Sequence, residues 1–513
     1  MSALRAPEPD AFAEPRAEFG AIESFLRSGE ACEMTHSELE RELEKRGREL
    51  MRQLLQSHLE VRGPGDTVEP VKGCDGVERK QERVHGRSLE TVFGEVRVER
   101  VGYGAEGVES LHPLDGELNL PAERYSHEVR RRAAEETAKG SYQEVVKMLS
   151  KTTGAQVGKR QVEELATRAA EDFDAFYNER YECRGSEESG KILVITSDGK
   201  GVVMRREDLR EATQKRAEKS RHKMESRLSP GEKPNRKRMG TVAAVYTIAP
   251  YGRSAEDVLR CLAPKNEAEK PDRPRPESKR VWASVEKEPK EVIEEAFREA
   301  RMRDREGRKR WVALVDGNET QLKILKKCFE KEGYAALIVL DFIHVAQRVW
   351  KAGLDFHEPG PALETWVTQR LLAILRGRRG HVAAGMRRSA TLNGLRKKAR
   401  QRVDSCAKYL LKYKSYMQYD YYLKLGLPIA TGVIEGACRY LVKDRMEITG
   451  ARWSLKGAEA VLRLRALRAC DDFDSYWRFH ERQEYQRNHA AHYADGKVVS
   501  IHRRQRPHLK RIK

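Results

Sequence analysis

The chain has 513 residues, with 99 Lys and Arg against 80 Asp and Glu, a formal charge of +19 and a pI near 9.5. That excess favours a polyanionic partner, most simply nucleic acid, while no apolar run approaches the roughly 18 residues of a membrane span, so no membrane association is expected. Eight cysteines, scattered from Cys32 to Cys470 without a CxxC pair, argue against a disulfide framework or a thiolate zinc site.

The opening MSALRAPEPDAFAEP has no secretory pattern, so a soluble, cytoplasmic protein is expected. Met1 to Glu30 show little apolar periodicity and are expected to be loosely ordered at their start. Thr35 and Glu38 then make a capping box, and Leu39, Leu43, Leu50, Leu54, Leu55 and Leu59 recur at helical spacing up to Gly63 and Pro64. From His85 to Tyr103 the pattern changes to strands, SLETVF and VRVERV, with Gly94-Glu95 read as a type II′ hairpin turn. Ser141 to Ala170 reads as two short helices about a turn at Gly154. Val145, Val146 and Leu149 face inward on the first, Val162, Leu165 and Ala166 on the second. This is a helix-turn-helix layout with Lys159 and Arg160 leading the DNA-facing helix; an ordinary helical hairpin has the same pattern.

KILVITS, Lys191 to Ser197, is an apolar strand ending at Asp198, with Asp198-Gly199 suited to a hairpin. Arg205 to Arg238 is a charged insertion with thirteen Lys/Arg against six Asp/Glu. MGTVAAVYTIAPYG returns to strand, Pro264 to Lys279 is a loop, VWASV can add a strand, and Glu288 to Arg303 is an amphipathic helix. Trp311 to Val315 and Ala335 to Leu340 are apolar runs flanking an amphipathic segment, Thr320 to Lys331. Strand, helix and strand in this arrangement make a parallel, right-handed pair buried on both faces. Both strands then finish on one edge, at Asp316 and Asp341, and ligands of open α/β sheets sit at that edge.

Beyond His344 the pattern is helical over Leu363 to Gly377, Ser389 to Tyr413 and Tyr416 to Leu425. Thr365 to Val403 carries eleven Lys/Arg and no Asp or Glu. A solvated face would mix signs, so this block, with Arg387, Arg388, Lys397 and Lys398, reads as a phosphate-contacting surface. Ile434, Ala437, Cys438, Leu441 and Val442 mark a helix stripe, with Glu435 just off it. The closing KVVSIHRRQRPHLKRIK is a basic tail expected to be disordered.

Each acid has a bland explanation: turns at Asp198 and Asp316, an N-cap at Asp341 with His344 on the first helical turn, and an i,i+4 pair of Glu435 with Arg439. Their joint order is less easily explained that way. The segments SDGKG, VDGNETQ, DFIH, TGVIEG and TGARWS, in this sequence, resemble the DDE transposases of bacterial insertion sequences of the Kra type, relatives of the Mutator-like group. The resemblance runs from about His85, through ETVFGEVRVERVGY and HPLDGELNLP, to about Ala469. In that group a D-x-x-H or C-x-x-H motif follows the fifth strand and an all-helical insertion precedes the catalytic Glu. Asp341 with His344, and the basic helical block, match both features. Many relatives also carry paired cysteines as a zinc ribbon; KGCDGVERK keeps only Cys74, and no zinc site is expected there.

The resemblance implies an α/β chain: an RNase H-like mixed sheet with an all-helical insertion before the catalytic Glu, plus an N-terminal, mostly helical DNA-binding region with a small β unit. The expected divisions are 1–75 helical, 76–185 β unit and helix-turn-helix, 186–344 and 431–475 catalytic core, 345–430 basic helical insertion, and 476–513 basic tail. It further implies two Mg²⁺ or Mn²⁺ ions, with Asp198 bridging them and Asp316 and Glu435 each on one. His344 would orient a phosphate or donate a proton, or be a core histidine fixed by Asp341. The implied partner is double-stranded DNA, both element ends and target, bound by a homo-oligomer at the nucleoid. An RNase H-like nuclease without strand transfer, or a DNA-binding descendant that no longer cuts, would share these residues.

Overall fold

The capping box at Thr35 opens a helix, His36–Arg62, which stops where Gly63 takes φ +73, a left-handed angle that glycine adopts cheaply. The computed structural model describes residues 10–67, 70–183, 189–219, 236–262 and 273–501, and the chain divides into two units, Met1–Phe176 with Asp472–Lys513, and Tyr177–Asp471. Order begins earlier than the weak periodicity implies, because Ala13–Leu26 is already helical. Its Phe25 is buried, with the Arg46 guanidinium 4.1 Å above the ring. The start of the expected loose segment, residues 1–9, lies outside the described residues, as do parts of the charged insertion (220–235), the Pro/Glu/Lys loop (263–272) and the basic tail (502–513). No helix among the described residues is long and apolar enough to cross a membrane.

In the first unit, β1 (Val71–Lys72) and β2 (Glu78–Arg79) form a small pair, and β3 (Gln81–Thr91), β4 (Gly94–Ala105) and β5 (Val108–Leu111) an antiparallel sheet. The hairpin turn is not Gly94-Glu95. Thr91 pairs with Gly94, so the loop is Val92-Phe93, and Gly94, at φ +130, opens the return strand. Thr91 Oγ1 closes the turn by donating to the Gly94 carbonyl at 2.7 Å and accepting from Phe93 N–H at 3.2 Å. Three helices, His127–Thr137, Tyr142–Thr152 and Lys159–Ala169, enclose a core that includes Val129, Val145, Leu149, Val162 and Leu165. The expected inward positions are therefore inward. Gly154 is fixed by something the helical pattern does not reveal: its N–H donates to Val92 O at 2.9 Å, and a Cβ there would lie 2.4 Å from the Phe93 carbonyl oxygen.

The expected tail from 476 is also revised. Phe473–Asn488 is a helix of the first unit, with Tyr476 and His480 fully buried. Tyr476 donates to Ala169 O at 2.6 Å, His480 Nδ1 lies 2.7 Å from Asp172 Oδ2, and Arg130 grips Glu484.

In the second unit a mixed sheet runs in the order β10-β9-β6-β7-β8. Its members are β6 (Ile192–Val203), β7 (Lys237–Ile248), β8 (Glu277–Ser284), β9 (Arg310–Val315) and β10 (Ile338–Leu340). β6, β7 and β8 are antiparallel neighbours, while β9 pairs parallel to both β6 and β10. Asp198 is not a hairpin residue: β6 continues through it, Asp198 opposite Val242, and Val202 and Val203 are buried beyond it. The pairing with β7, supplied from beyond the charged insertion, overrides the turn preference of Asp-Gly. β10 is shorter than its apolar run. The helix Pro289–Arg303 packs on β6 and β7, and Leu455–Ala469 on β8. After Phe342–Gly353 come Pro361–Leu375, Arg379–Leu392, Lys397–Lys412 and Tyr419–Lys424. The single helix expected over Ser389 to Tyr413 is two, broken where Gly394 takes φ +61.

Replacing Gly154 by Ala should cost about 1–3 kcal/mol, because the added carbon meets backbone and cannot be sidestepped by a rotamer change. A lowered urea midpoint for the first unit is the expected outcome. An unchanged midpoint would mean the Val92-Phe93 turn yields freely.

Candidate active site

The parallel pairings set the geometry. Thr196 lies opposite Leu314, and Leu340 opposite Val315. Continued by one residue on β10, the second register sets Asp341 beside Asp316, while the β6–β9 pairing stops at Thr196 and Leu314, two residues short of Asp198 and Asp316. The Asp341 N–H does extend the ladder, donating to Val315 O at 2.7 Å. Facing residues on parallel neighbours project to the same side, about 4.8 Å apart.

Asp341 is the buried end of this row, fully shielded from solvent. It caps the helix Phe342–Gly353, Oδ1 accepting from Ile343 N–H at 2.6 Å, so its N-cap reading holds. Oδ2 accepts from Thr431 N–H at 3.3 Å and from the Thr431 hydroxyl, and lies 3.1 Å from His344 Nδ1. Three of these four hydrogen bonds crowd Oδ2, and Oδ1 takes one. Burial alone would push the carboxyl up, but the bonds from His344, Thr431 and Ile343 outweigh it and hold it below the usual carboxylate range. An ionised Asp341 only accepts, so the proton sits on His344 Nδ1 and Nε2 is left open. The bond to Asp341 raises the His344 pKa against partial burial, and the charges of Asp316 and Glu435 act in the same direction. His344 has a side chain 36% exposed, and so is no core histidine.

Glu435 stands on the helix Gly432–Ala437, with Oε1 3.9 Å from His344 Nδ1. Its stripe behaves as expected: Ile434, Ala437, Cys438, Leu441 and Val442 are all buried. The pair with Arg439 does not form, since Arg439 turns toward Asp444, 3.7 Å away. Directly after the Glu435 turn the helix widens into a π segment, Cys438–Lys443. Such segments recur at functional sites. Cys438 there donates from Sγ to Asp198 Oδ2 at 3.3 Å, joining the helix of Glu435 to β6.

The ligand atoms of Asp341, His344 and Glu435 all fall within 4.8 Å of one another, close enough to hold a metal ion. Of the acids, Asp341 accepts the most hydrogen bonds, three on Oδ2 and one on Oδ1, which crowds Oδ2 against ligation. Asp198 accepts only from Cys438 and its own Gly199 N–H, and Asp316 Oδ1 from Asn318 N–H at 2.8 Å, so both keep oxygens for a ligand.

Four tyrosines tie the helical block to these strand ends. Tyr409 donates to Asp316 O at 3.3 Å, Tyr413 to Gly317 O at 2.8 Å, Tyr419 to Leu340 O at 2.8 Å and Tyr422 to Ile338 O at 3.3 Å. These residues, with Thr431 and Cys438, are the ones that sequence reading missed as parts of the site. The signal was present in the three- and four-residue spacing of Tyr409, Tyr413, Tyr416, Tyr419 and Tyr422, a cluster that spans the end of one helix, a turn and the start of the next.

The basic candidates divide. Arg388, Lys397 and Lys398 are exposed, with no ion pair within 4 Å among the described residues, whereas Arg387 lies 3.6 Å from Asp404. Lys159 and Arg160 are exposed at the start of their helix, Arg160 engaging Glu164 at 3.0 Å. No family model matches the chain, and no curated protein matches it.

With Asp341→Asn the His344 pKa should fall toward its ordinary value, because the carboxylate that favours the protonated ring is gone. Histidine-labelled NMR titration measures this directly; an unmoved pKa would remove Asp341 as the partner of His344.

Proposed function

We propose that this chain is a DDE-type transposase with an RNase H-like catalytic unit, which binds the ends of a mobile element, cuts DNA and joins the 3′ ends to target DNA. The single observation that carries the reading is the parallel register of β6, β9 and β10, which runs the strands leading to Asp198, Asp316 and Asp341 side by side in one direction. Counting from β6 as the first strand, the sheet order is 3-2-1-4-5, three strands antiparallel and two parallel, and this order supports the RNase H-like reading. The helices between β10 and Glu435 correspond to the insertion of the Mutator-like group.

The donor set fits hard divalent cations: carboxylate oxygens on Asp198, Asp316 and Glu435, two of them on neighbouring strands where like charges would otherwise repel. Bound there, Mg²⁺ or Mn²⁺ would activate the attacking oxygen and stabilise the leaving 3′ oxygen. The chain's own residues do the rest. Asp341, itself held by Thr431, holds His344 with Nε2 open toward a scissile phosphate or its leaving oxygen. Cys438 steadies Asp198, and Tyr409 and Tyr413 steady the segment of Asp316. In the first displacement a water oxygen bonds to phosphorus, giving up its proton, as the P–O3′ bond breaks and the 3′ oxygen takes up a proton; in the second that 3′ hydroxyl oxygen bonds to a target phosphorus, losing its proton, as the target's own P–O3′ bond breaks and leaves a new 3′ hydroxyl. Arg388, Lys397 and Lys398 on the helical block, and Lys159 and Arg160 on the first unit, are the proposed contacts to DNA, bound by a homo-oligomer.

The test is cleavage and joining of duplexes carrying the repeats that flank the gene. Asp198→Asn, Asp316→Asn and Glu435→Gln should each lower both activities by about 100-fold or more, as loss of one transition-state stabiliser does, while DNA binding persists. Arg388→Glu with Lys397→Glu and Lys398→Glu should instead weaken binding and flatten its salt dependence. Near-normal turnover by folded Glu435→Gln protein would refute the three-acid assignment. Wild-type cutting without joining would favour the nuclease reading.

A further inference from the structure

A cavity of about 630 Å³ opens in the first unit among β3, β4, the helix Pro113–Glu117 and the segment 488–493. Arg87 and Arg100, with side chains 16% and 17% exposed, line it and share one carboxylate. Arg100 contacts Asp115 Oδ2 directly, and Arg87 Nη1 lies 3.8 Å from the same oxygen. The other Arg87 bonds go to the backbone oxygens of Pro121 at 2.9 Å and Glu123 at 2.6 Å, which carry no full charge. Arg100 Nε is buried without a hydrogen-bond partner. Arg124, also on the wall, is engaged by Glu90 and Glu95, and Glu109, the remaining acid of the lining, is exposed to solvent.

The Glu123 carboxylate also acts on Arg87 but is taken up by Arg130 and Arg168, so on the cavity wall two enclosed guanidinium groups face the one enclosed carboxylate of Asp115. A cation taken from water without a matching anion is costly, and a fold that keeps one beside a cavity has room for the missing charge. Burial, with the like charge of Arg87, lowers Arg100 to about 10 despite the Asp115 contact. His112, on the same wall and 3.0 Å from His85, is held down to about 4 by burial and by the positive charges of Arg100 and Arg87. Its neutral ring can donate to an oxygen.

We propose that this cavity binds the phosphate group of a nucleotide, Arg87 and Arg100 gripping the phosphate oxygens and Leu120, Pro121 and Tyr493 walling the sugar or base. Planar guanidinium forks match phosphate oxygens in pairs, and the volume lies in the range of small-molecule sites. The phosphate belongs either to a DNA strand or to a free nucleotide. The site is separate from the carboxylate row and does not depend on the catalytic reading.

The full-length protein is titrated with inorganic phosphate, with dAMP and with a labelled duplex of about 20 base pairs and random sequence, long enough to reach several phosphate contacts. Arg87→Gln and Arg100→Lys are titrated alongside; both leave Asp115 a cationic neighbour. A tenfold or greater loss of dAMP affinity in both variants supports a free-nucleotide site. Loss confined to the duplex, with a salt slope reduced by about one, supports a DNA-strand site. Unchanged affinities for every probe, or no binding of any probe by the wild type, overturn the proposal. Should a variant fail to fold, hydrogen exchange on the wild type decides: slowed exchange at 110–112 and 488–493 with saturating dAMP or duplex supports it, and unaltered exchange overturns it.

Discussion

The parallel pairing of β9 with strands on both its sides is the constraint on which the rest of the second unit depends. It brings Asp316 and Asp341 to adjoining strand ends, and two unscreened charges about 5 Å apart repel by about 3 kcal/mol at an effective dielectric constant near 20. The fold relieves only one end of the row. Asp341 accepts four hydrogen bonds, from Ile343, Thr431 and His344, against two on Asp198 and one on Asp316. That asymmetry separates a carboxylate that positions its neighbours from those able to take a cation.

The surrounding elements hold this arrangement from outside. The Glu435 helix meets β6 through Cys438, and the helical block is fastened by tyrosine hydroxyls to carbonyls of β10 and to those just past β9. A block that grips DNA through Arg388, Lys397 and Lys398 would thus be mechanically continuous with the backbone of Asp316. Arg348, stacked 4.0 Å over Tyr409, adds a link between the His344 helix and that same clamp.

Where burial on both faces wrote an unbroken apolar run, as in β9 and the first half of β6, the sequence was readable, and so were the helix stripes around Gly154 and Glu435. Local signals misled wherever a distant partner decided the outcome. Asp198-Gly199 has turn chemistry, yet β7 arrives about 40 residues later and keeps the strand extended. Gly94 has the left-handed angle of a turn glycine but stands one place beyond the turn. Glu435 and Arg439 have pairing spacing, but Arg439 faces Asp444. The return of Phe473–Asn488 to the first unit rests on partners such as Asp172 and Arg130, more than 300 residues away, which no local pattern encodes.

Anomalous diffraction from crystals of the full-length protein grown with Mn²⁺ addresses the central claim most directly, since it locates cations without relying on turnover. The account predicts manganese between the Asp198 and Asp316 carboxylates, with Asp341 outside the coordination shell and still bonded to His344 and Thr431. Manganese ligated by Asp341, with none at Asp198 or Asp316, would contradict it.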